Sequence, residues 1–226
     1  MGYIIVIEGT DGSGKKTQTE RLYERLLGAG VKTCKFSFPN YDSPSCGPVK
    51  MYLNGEFGDN AESVDAYQSS SMYAVDRLCT YFADIKSHYE NDEVIVFDRY
   101  TTSNMFHQAC KIENELERDK FLDWLSDFEF NVLKLPKPDK VIFLDVPVEV
   151  SKRLANERSE LKSGQSQDIH EKDKDHLTKA YNNGKYVAKK FGWKTISCVD
   201  DNGNIRTIED IHEDVFGSVI EEIIDR

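Results

Sequence analysis

Residues 3–17 read Tyr3-Ile4-Ile5-Val6-Ile7-Glu8-Gly9-Thr10-Asp11-Gly12-Ser13-Gly14-Lys15-Lys16-Thr17. The apolar first half predicts a buried β-strand, and the segment from Gly9 to Lys15 fits the phosphate-loop pattern G-x-x-x-x-G-K. Glycine suits such a loop because the loop needs backbone angles that other residues rarely adopt. The loop also turns its N–H groups towards phosphate oxygens. The lysine adds a point charge. Between a strand and a helix, this stretch predicts a P-loop that holds a nucleoside triphosphate from Gly9 to Thr17.

One position departs from the usual phosphate loop. The Ser or Thr that commonly follows the lysine and ligates Mg²⁺ is Lys16 here, and Thr17 comes one residue later. Two explanations are open: water and carboxylates such as Asp11 and Asp98 hold the metal, or Lys16 turns to phosphate or solvent. We favour the first, and Thr17 and Asp98 are the candidate metal-side residues.

Short β-branched runs alternate with helical patterns along the chain. Strands separated by helices need crossover connections, which predict a parallel sheet. The predicted strands are Tyr3 to Glu8, Thr33 to Phe38, Val94 to Asp98, Lys140 to Val146 and Thr195 to Val199. The predicted helices are Thr17 to Leu27, Asp65 to Tyr89, Glu113 to Leu133, Val148 to Lys162, Glu171 to Phe191 and Ile208 to Ile224. We expect one α/β domain over residues 1–226, with a P-loop-type five-stranded parallel sheet flanked by helices.

The composition indicates an acidic folded protein of a reducing compartment. The formal net charge is -11 at pH 7, which disfavours nucleic acid and anionic membranes as partners. Five cysteines without a C-x-x-C pair suggest neither zinc nor a disulfide scaffold. No apolar stretch approaches membrane-spanning length, so we expect a cytoplasmic protein.

A second group of polar residues ends the third predicted strand. Val94 to Phe97 lead into Asp98-Arg99, at the carboxyl edge where doubly wound sheets bind ligands. Asp98 matches the second acidic metal-side position of P-loop enzymes, and Arg99 could bridge donor and acceptor phosphates. The alternative is a structural ion pair between the two residues.

Tyr73 and Arg77 lie four residues apart on the long predicted helix, and therefore on one face of it. An aromatic ring and a guanidinium so placed could stack on a base and hydrogen-bond its edge. The alternative is a core tyrosine beside a surface arginine.

Four segments occur in a recognisable order along the chain: Gly9 to Lys15, Phe38-Pro39, Tyr73-Ala74-Val75-Asp76-Arg77 and Asp98-Arg99-Tyr100-Thr101-Thr102-Ser103-Asn104. Taken together, these motifs resemble the thymidylate kinases. The likeness covers nearly the full length, and the Asp-Arg-Tyr-x-x-Ser motif is that family's own signature. The resemblance implies ATP-dependent phosphorylation of dTMP to dTDP by direct in-line transfer, with Mg²⁺ as cofactor.

The resemblance also implies roles for individual residues. Asp11 orients the acceptor sugar, while Lys15 and Arg99 clamp phosphates. Tyr73 stacks on thymine, and Arg77 with Asn104 reads its polar edge. Two positions depart from the family: His107 stands where a tyrosine is usual, and Asn40 where many relatives have an arginine, which shifts phosphate binding to Arg99. The remaining substrate-side residues are Phe38, Pro39, Asp98, Ser103, His107 and Glu171.

The polar stretch from Ser159 to Gln167 predicts a mobile loop. The resemblance implies a lid over residues 153–170, from which Arg153 and Arg158 reach the ATP phosphates and after which Glu171 closes over the nucleotide. The alternative is a solvated loop with exposed helix charges.

Two rival functions share part of this pattern. A kinase for another deoxynucleotide or deoxynucleoside would have the same P-loop and Asp-Arg pair. A GTP-dependent switch would need a guanine-reading Asn-Lys-x-Asp after a strand, and the sequence contains none. Because relatives commonly pair through helices, we expect a homodimer whose small-molecule partners are ATP and dTMP.

Overall fold

The computed structural model describes residues 1–58, 60–161 and 174–224, without the side chains of 155–161 and 174–175. Within these ranges, five parallel strands form one sheet in the order β2-β3-β1-β4-β5. The strands are β1 (Tyr3–Gly9), β2 (Thr33–Ser37), β3 (Val94–Asp98), β4 (Lys140–Asp145) and β5 (Lys194–Ser197). Every residue of β1 is buried, as expected for a central strand covered on both faces. The predicted α/β fold with its parallel sheet is confirmed.

Helices connect the strands. A π-helical turn at Tyr81–Ile85 follows the helix that ends at Thr80, and another at Asp127–Val132 follows the helix that ends at Ser126. Short 3₁₀ turns lie at Pro44–Cys46, Ala61–Ser63 and Ala109–Lys111. The described helices are α1 (Lys15–Gly28), α2 (Gly47–Leu53), α3 (Ala66–Thr80), α4 (Lys86–Glu90), α5 (Thr101–His107), α6 (Glu115–Ser126), α7 (Val148–Leu161), α8 (Lys174–Lys190), α9 (Ile208–Gly217) and α10 (Ile220–Ile224).

Some helix boundaries differ from the sequence prediction. The helix α1 starts at Lys15, two residues earlier than predicted, because it begins directly at the phosphate loop. The short helices α2 and α5 were not predicted, since seven residues give too few turns for a clear apolar period. The predicted helix from Ile208 to Ile224 is interrupted after Gly217, a residue type that favours helix ends.

Two apolar layers enclose the sheet. On one face, Leu22 of α1 and Val215 of α9 pack against Ile5 and Ile7. On the other face, Ile4, Val6 and Phe97 pack with Ile85 and Tyr100. Because α1 is held against the sheet along its length, the loop that precedes it has a fixed position.

The carboxyl ends of the central strands meet at one edge of the sheet. Ile7 of β1 pairs with Asp98 of β3, and Gly9 pairs with Leu144 of β4. Parallel sheets bind ligands at this edge, which places the phosphate loop and Asp98-Arg99 side by side. Among the helices that the structure describes, none combines the length and hydropathy needed to cross a bilayer.

Candidate active site

The loop between β1 and α1 has the backbone of a phosphate cradle. Gly12 and Gly14 have φ angles of 83° and 86°, in the left-handed region that favours glycine. A Cβ at Gly9 would lie 2.6 Å from Ser13 Oγ and 3.0 Å from the Leu144 carbonyl oxygen. No side chain of the described residues caps the start of α1, so its first N–H groups and the positive end of its dipole are available to an anion.

Lys15 is buried at the start of α1. Its Nζ donates to the Thr10 carbonyl oxygen at 2.7 Å and lies 3.7 Å from Asp11 Oδ1. Burial, together with the positive charge of Arg99, lowers the pKa of Lys15 to about 8. A bound polyphosphate would oppose this shift, because a nearby anion favours the charged form of lysine.

Lys16 and Asp98 bear on the two explanations for the metal side. Lys16 is exposed on the first turn of α1, whereas Thr17 is half-buried. Asp98 Oδ1 is buried and accepts no hydrogen bond from the described residues. A buried carboxylate oxygen in this position needs a partner, and oxygen ligands are those that Mg²⁺ prefers. Asp98 therefore fits a bound Mg²⁺, whereas the role of Thr17 at the metal stays a prediction.

Arg99 links the phosphate cradle to a neighbouring cavity. Its φ of 68° is unusual for a non-glycine residue. Backbone strain of this kind is often found at functional sites. The guanidinium forms an ion pair with Asp11, and Nη1 lies 3.1 Å from His107 Nε2. The ion pair of Arg99 is thus with Asp11 and not with Asp98, contrary to the structural alternative considered from sequence.

Glu8 is a functional neighbour that the sequence reasoning missed. It is fully buried and accepts hydrogen bonds from Thr102 Oγ1 at 2.7 Å and from Ser103 Oγ at 2.8 Å. Burial raises the pKa of the Glu8 carboxyl, although Arg99 opposes the shift. Glu8 thereby fixes the start of α5 to the end of β1 beside Arg99. The signal for Glu8 in the sequence is that it is a single acidic residue in a strand that is otherwise apolar.

A cavity next to the cradle collects most of the predicted substrate residues. We call it the central pocket. Arg99 and Asp11 lie at its border with the phosphate loop. Asp98 is outside its lining. The predicted residues that line the central pocket are Asp11, Phe38, Pro39, Tyr73, Arg77, Arg99, Ser103, Asn104 and His107.

Arg77 is held in the wall of this pocket by a buried ion pair. Its Nε donates to Glu129 Oε2 at 2.7 Å, and Nη2 pairs with Oε1 of the same carboxylate. The side chains of Arg77 and Glu129 are 2% and 0% exposed, so the surface-arginine alternative is wrong. Thr101 Oγ1 also donates to Glu129, at 2.6 Å. Glu129 was not predicted, because it lies among the charged residues of a separate helical pattern.

Asp76 is a further positioning residue that the sequence did not reveal. Its buried carboxylate accepts from the Asn40 backbone N–H at 2.8 Å and from Ser45 Oγ at 2.9 Å. These bonds tie the loop after β2, with its cis Phe38–Pro39 bond, to α3. Phe38 and Tyr73 therefore face the same pocket from two connected elements.

The predicted lid residues are only partly described. Arg153 is exposed on α7. The side chain of Arg158, the whole of Glu171 and the segment 162–170 lie outside the described residues, so their roles stay predictions.

The layout of the site defines a class of protein. A phosphate cradle and a second pocket share Arg99 and Asp11, so a donor in the one and an acceptor in the other would meet at these side chains. This is the arrangement of a P-loop kinase that phosphorylates nucleoside monophosphates.

Comparison with known proteins identifies the family. The sequence model of thymidylate kinase matches residues 7–208. The chain belongs to the thymidylate kinase family, a group of nucleoside monophosphate kinases, and its reaction is the ATP-dependent phosphorylation of dTMP to dTDP. The resemblance and the activity expected from the sequence are confirmed.

Similar curated proteins come from several organisms. A thymidylate kinase of Mycobacterium tuberculosis is 32% identical over 75% of this chain and 78% of its own length. A putative thymidylate kinase of Aeropyrum pernix is 28% identical over 97% of each chain. A thymidylate kinase of Plasmodium falciparum is 27% identical over 96% of this chain and 90% of its own. Two of these likenesses thus extend over nearly the whole chain.

Proposed function

We propose that this chain transfers the γ-phosphoryl group of ATP directly to the phosphate of dTMP at the junction of the cradle and the central pocket. The observation that carries the proposal is the position of Arg99, which borders both sites and is held by Asp11. Phosphoryl transfer needs alignment and charge neutralisation more than covalent chemistry. Because the acceptor is already an anionic oxygen, no strong general base is required.

The proposed phosphate contacts follow from charge and position. The loop from Gly9 to Thr17 holds the triphosphate with its N–H groups, and Lys15 contacts it from the first turn of α1. Arg99 exchanges Asp11 for the phosphates and stabilises charge in the transition state, while Asp11 turns to the acceptor sugar.

The proposed base contacts use the wall of the central pocket. Tyr73 is half-buried there and makes a T-shaped contact with Tyr52 at a ring-centroid distance of 6.4 Å; we propose that its ring stacks on thymine. The guanidinium of Arg77 is fixed by Glu129, and Asn104 Nδ2 donates to the Ser70 carbonyl at 3.3 Å. Rigid polar groups of this kind favour recognition of the base edge.

The sugar end of the pocket differs from the usual family pattern. His107 lies 3.1 Å from Arg99, and Ser103 is tied to Glu8. We propose that His107 and Ser103 contact the deoxyribose and that His107 sets how strongly a ribose is rejected.

Mg²⁺ is the proposed metal, held by Asp98 and Thr17. When bound, it would neutralise charge on the phosphates. Asp98→Asn should raise the Mg²⁺ concentration for half-maximal activity at least about tenfold, since neutral amides are weaker ligands for hard cations than carboxylates. An unchanged Mg²⁺ dependence would exclude Asp98 as a ligand.

The lid completes the proposed mechanism. Residues 153–170 would close over ATP, with Arg153 or Arg158 on the phosphates and Glu171 nearby, which excludes water and limits wasteful hydrolysis. Arg153→Ala and Arg158→Ala should therefore lower kcat, and the more affected variant identifies the arginine that reaches ATP.

We also propose that the protein is a homodimer in the cytoplasm. Each chain would form one domain and bind no nucleic acid. Val75 on α3 and Phe82 in the following π-helical turn are 47% and 63% exposed, and such apolar surface favours a contact between copies. Phe82→Glu should shift the mass measured by light scattering towards the monomer. Leu27→Glu, at a 43% exposed position on α1, is the control.

Substrate preference tests the central proposal. In an ADP-release assay, dTMP should give a higher kcat/KM than dUMP, dCMP, dGMP and thymidine. Lys15→Ala should lower turnover by several orders of magnitude in a folded protein, and Tyr73→Ala should mainly raise the KM for dTMP. A preference for thymidine over dTMP, or near-normal turnover of Lys15→Ala, would contradict the assignment.

A further inference from the structure

Cys34, His88 and Glu93 bring a thiol, an imidazole and a carboxylate together outside the nucleotide site. One possible ligand atom from each lies within 4.8 Å of the other two. In the part of the chain that the structure describes, no other set of three cysteine, histidine or acidic side chains meets this condition. The separation of these residues along the chain gives no motif, which is why the sequence suggested no zinc.

The backbone around the three residues is well fixed. Cys34 lies on the edge strand β2, paired with Ile95 of β3. His88 lies on α4, and the Glu93 N–H donates to its carbonyl oxygen at 3.2 Å. Asp92, between them, has a φ of 63°. This tight turn sets the His88 and Glu93 side chains together, with Nδ1 and Oε2 2.7 Å apart.

We propose that Cys34, His88 and Glu93 bind one Zn²⁺, with water as a fourth ligand. Sulfur, imidazole nitrogen and carboxylate oxygen are the protein ligands of Zn²⁺. Tetrahedral ligands at Zn–N and Zn–O distances of about 2.0–2.1 Å are roughly 3.3 Å apart, so the His88–Glu93 contact has to open slightly. Their side chains are 38% and 21% exposed, which leaves room for this movement and for the water.

A simpler reading treats the group as an ion pair beside a packed cysteine. His88 does contact Phe36, with ring centroids 5.9 Å apart, and this contact would exist without a metal. A redox role for the thiol is disfavoured, because burial and the charge of Glu93 raise the pKa of Cys34 to about 12, and reactive cysteines are thiolates. Zinc differs from a redox partner in that it displaces the thiol proton on binding.

The position of the site indicates a structural role. Cys34 pairs with Ile95, three residues before Asp98 on β3, or roughly 10 Å from the active-site edge at strand spacing. The helix α4 continues α3 through a π-helical turn, and α3 carries Tyr73 and Arg77. Zinc would therefore link α4, at the end of this continuous helix, to the edge strand β2 without contacting the nucleotides.

Cobalt substitution provides a direct test. The full-length protein, stripped with a chelator, should bind one Co²⁺ per chain and show thiolate-to-cobalt charge-transfer absorption that Zn²⁺ displaces. Cys34→Ser should abolish this absorption. His88→Gln should weaken metal affinity at least about tenfold, because a loss of that size is typical even when only a residue that supports a metal ligand is changed. Cys79→Ser, at an exposed cysteine on α3, is the matched control and should bind like the wild type.

Thermal unfolding gives a second readout. Zn²⁺ alone should raise the Tm of the wild type and of Cys79→Ser, and it should leave that of Cys34→Ser unchanged. If Cys34→Ser fails to fold by circular dichroism, His88→Gln decides the matter. Absence of thiolate absorption in the wild type, its persistence in folded Cys34→Ser, or unweakened metal binding by His88→Gln would overturn the proposal.

Discussion

The substitution Glu129→Gln isolates the charge of the buried Arg77–Glu129 pair. Glutamine has nearly the same shape as glutamate, so the change creates no cavity. It leaves the Arg77 guanidinium, 2% exposed, without its counter-charge and turns an amide N–H₂ towards it. Thr101 also loses a charged acceptor. The free energy of unfolding should therefore fall by more than the value of one ordinary hydrogen bond.

The size of the effect follows from the complete burial of the pair. Removing one partner of a buried pair costs about 3–5 kcal/mol, whereas an exposed pair contributes about 0–1 kcal/mol. For a chain of 226 residues, 3–5 kcal/mol corresponds to a fall in Tm of roughly 6–20 °C. Because Arg77 loses its fixed position, the KM for dTMP should also rise, while the KM for ATP should change little.

Urea unfolding followed by the fluorescence of Trp124 and Trp193 measures the stability change. Glu117→Gln is the matched control, because Glu117 pairs with Lys120 at side-chain exposures of 58% and 69%. A loss of stability in Glu129→Gln no greater than in Glu117→Gln would refute the argument that the buried charge pair holds the pocket wall.

Two further predictions concern the cradle and a helix contact. At pH 8 ATP binding should be accompanied by the uptake of about half a proton, because the Lys15 pKa of about 8 rises when phosphate is bound. The variant Lys16→Ala should take up the same amount. Calorimetry in buffers of different ionisation enthalpy measures this uptake, and its absence would contradict the prediction. Gly184→Ala should destabilise by about 1–3 kcal/mol, because an added Cβ would overlap the Phe106 ring. Gly217→Ala, with open space around its Cβ, should instead be neutral or stabilising by about 0.5 kcal/mol, and equal Tm changes in the two variants would contradict this.

The sequence predicted the fold because its strongest signals are local. Apolar β-branched runs such as Ile4 to Ile7 specify buried strands, and the helical patterns between them require parallel crossovers. Glycines at fixed positions predicted the cradle, and Gly12 and Gly14 do have left-handed backbone angles in the structure. In each case a short stretch of chain determines its own geometry, so no tertiary information was needed.

The supporting carboxylates were missed because their partners are distant in sequence. Glu129 is 52 residues from Arg77, and Glu8 is 94 from Thr102. In the sequence, Glu129 cannot be distinguished from the other acidic residues of an amphipathic helix. Burial of a carboxylate is a property of the assembled fold, and only the structure shows which acidic residue neutralises which cation.

The distribution of charge around the cradle also explains how an acidic protein can bind polyanions. With a net charge of -11, the chain attracts phosphates only where its cations are concentrated, and the structure concentrates Lys15 and Arg99 at the carboxyl edge of the sheet. Asp11 contacts both of these cations. In the proposed binding mode phosphate replaces this carboxylate, so breaking the existing ion pairs would offset part of the electrostatic gain. We expect this exchange to favour a site in which donor and acceptor are bound together, because their phosphates would then replace Asp11 at both cations.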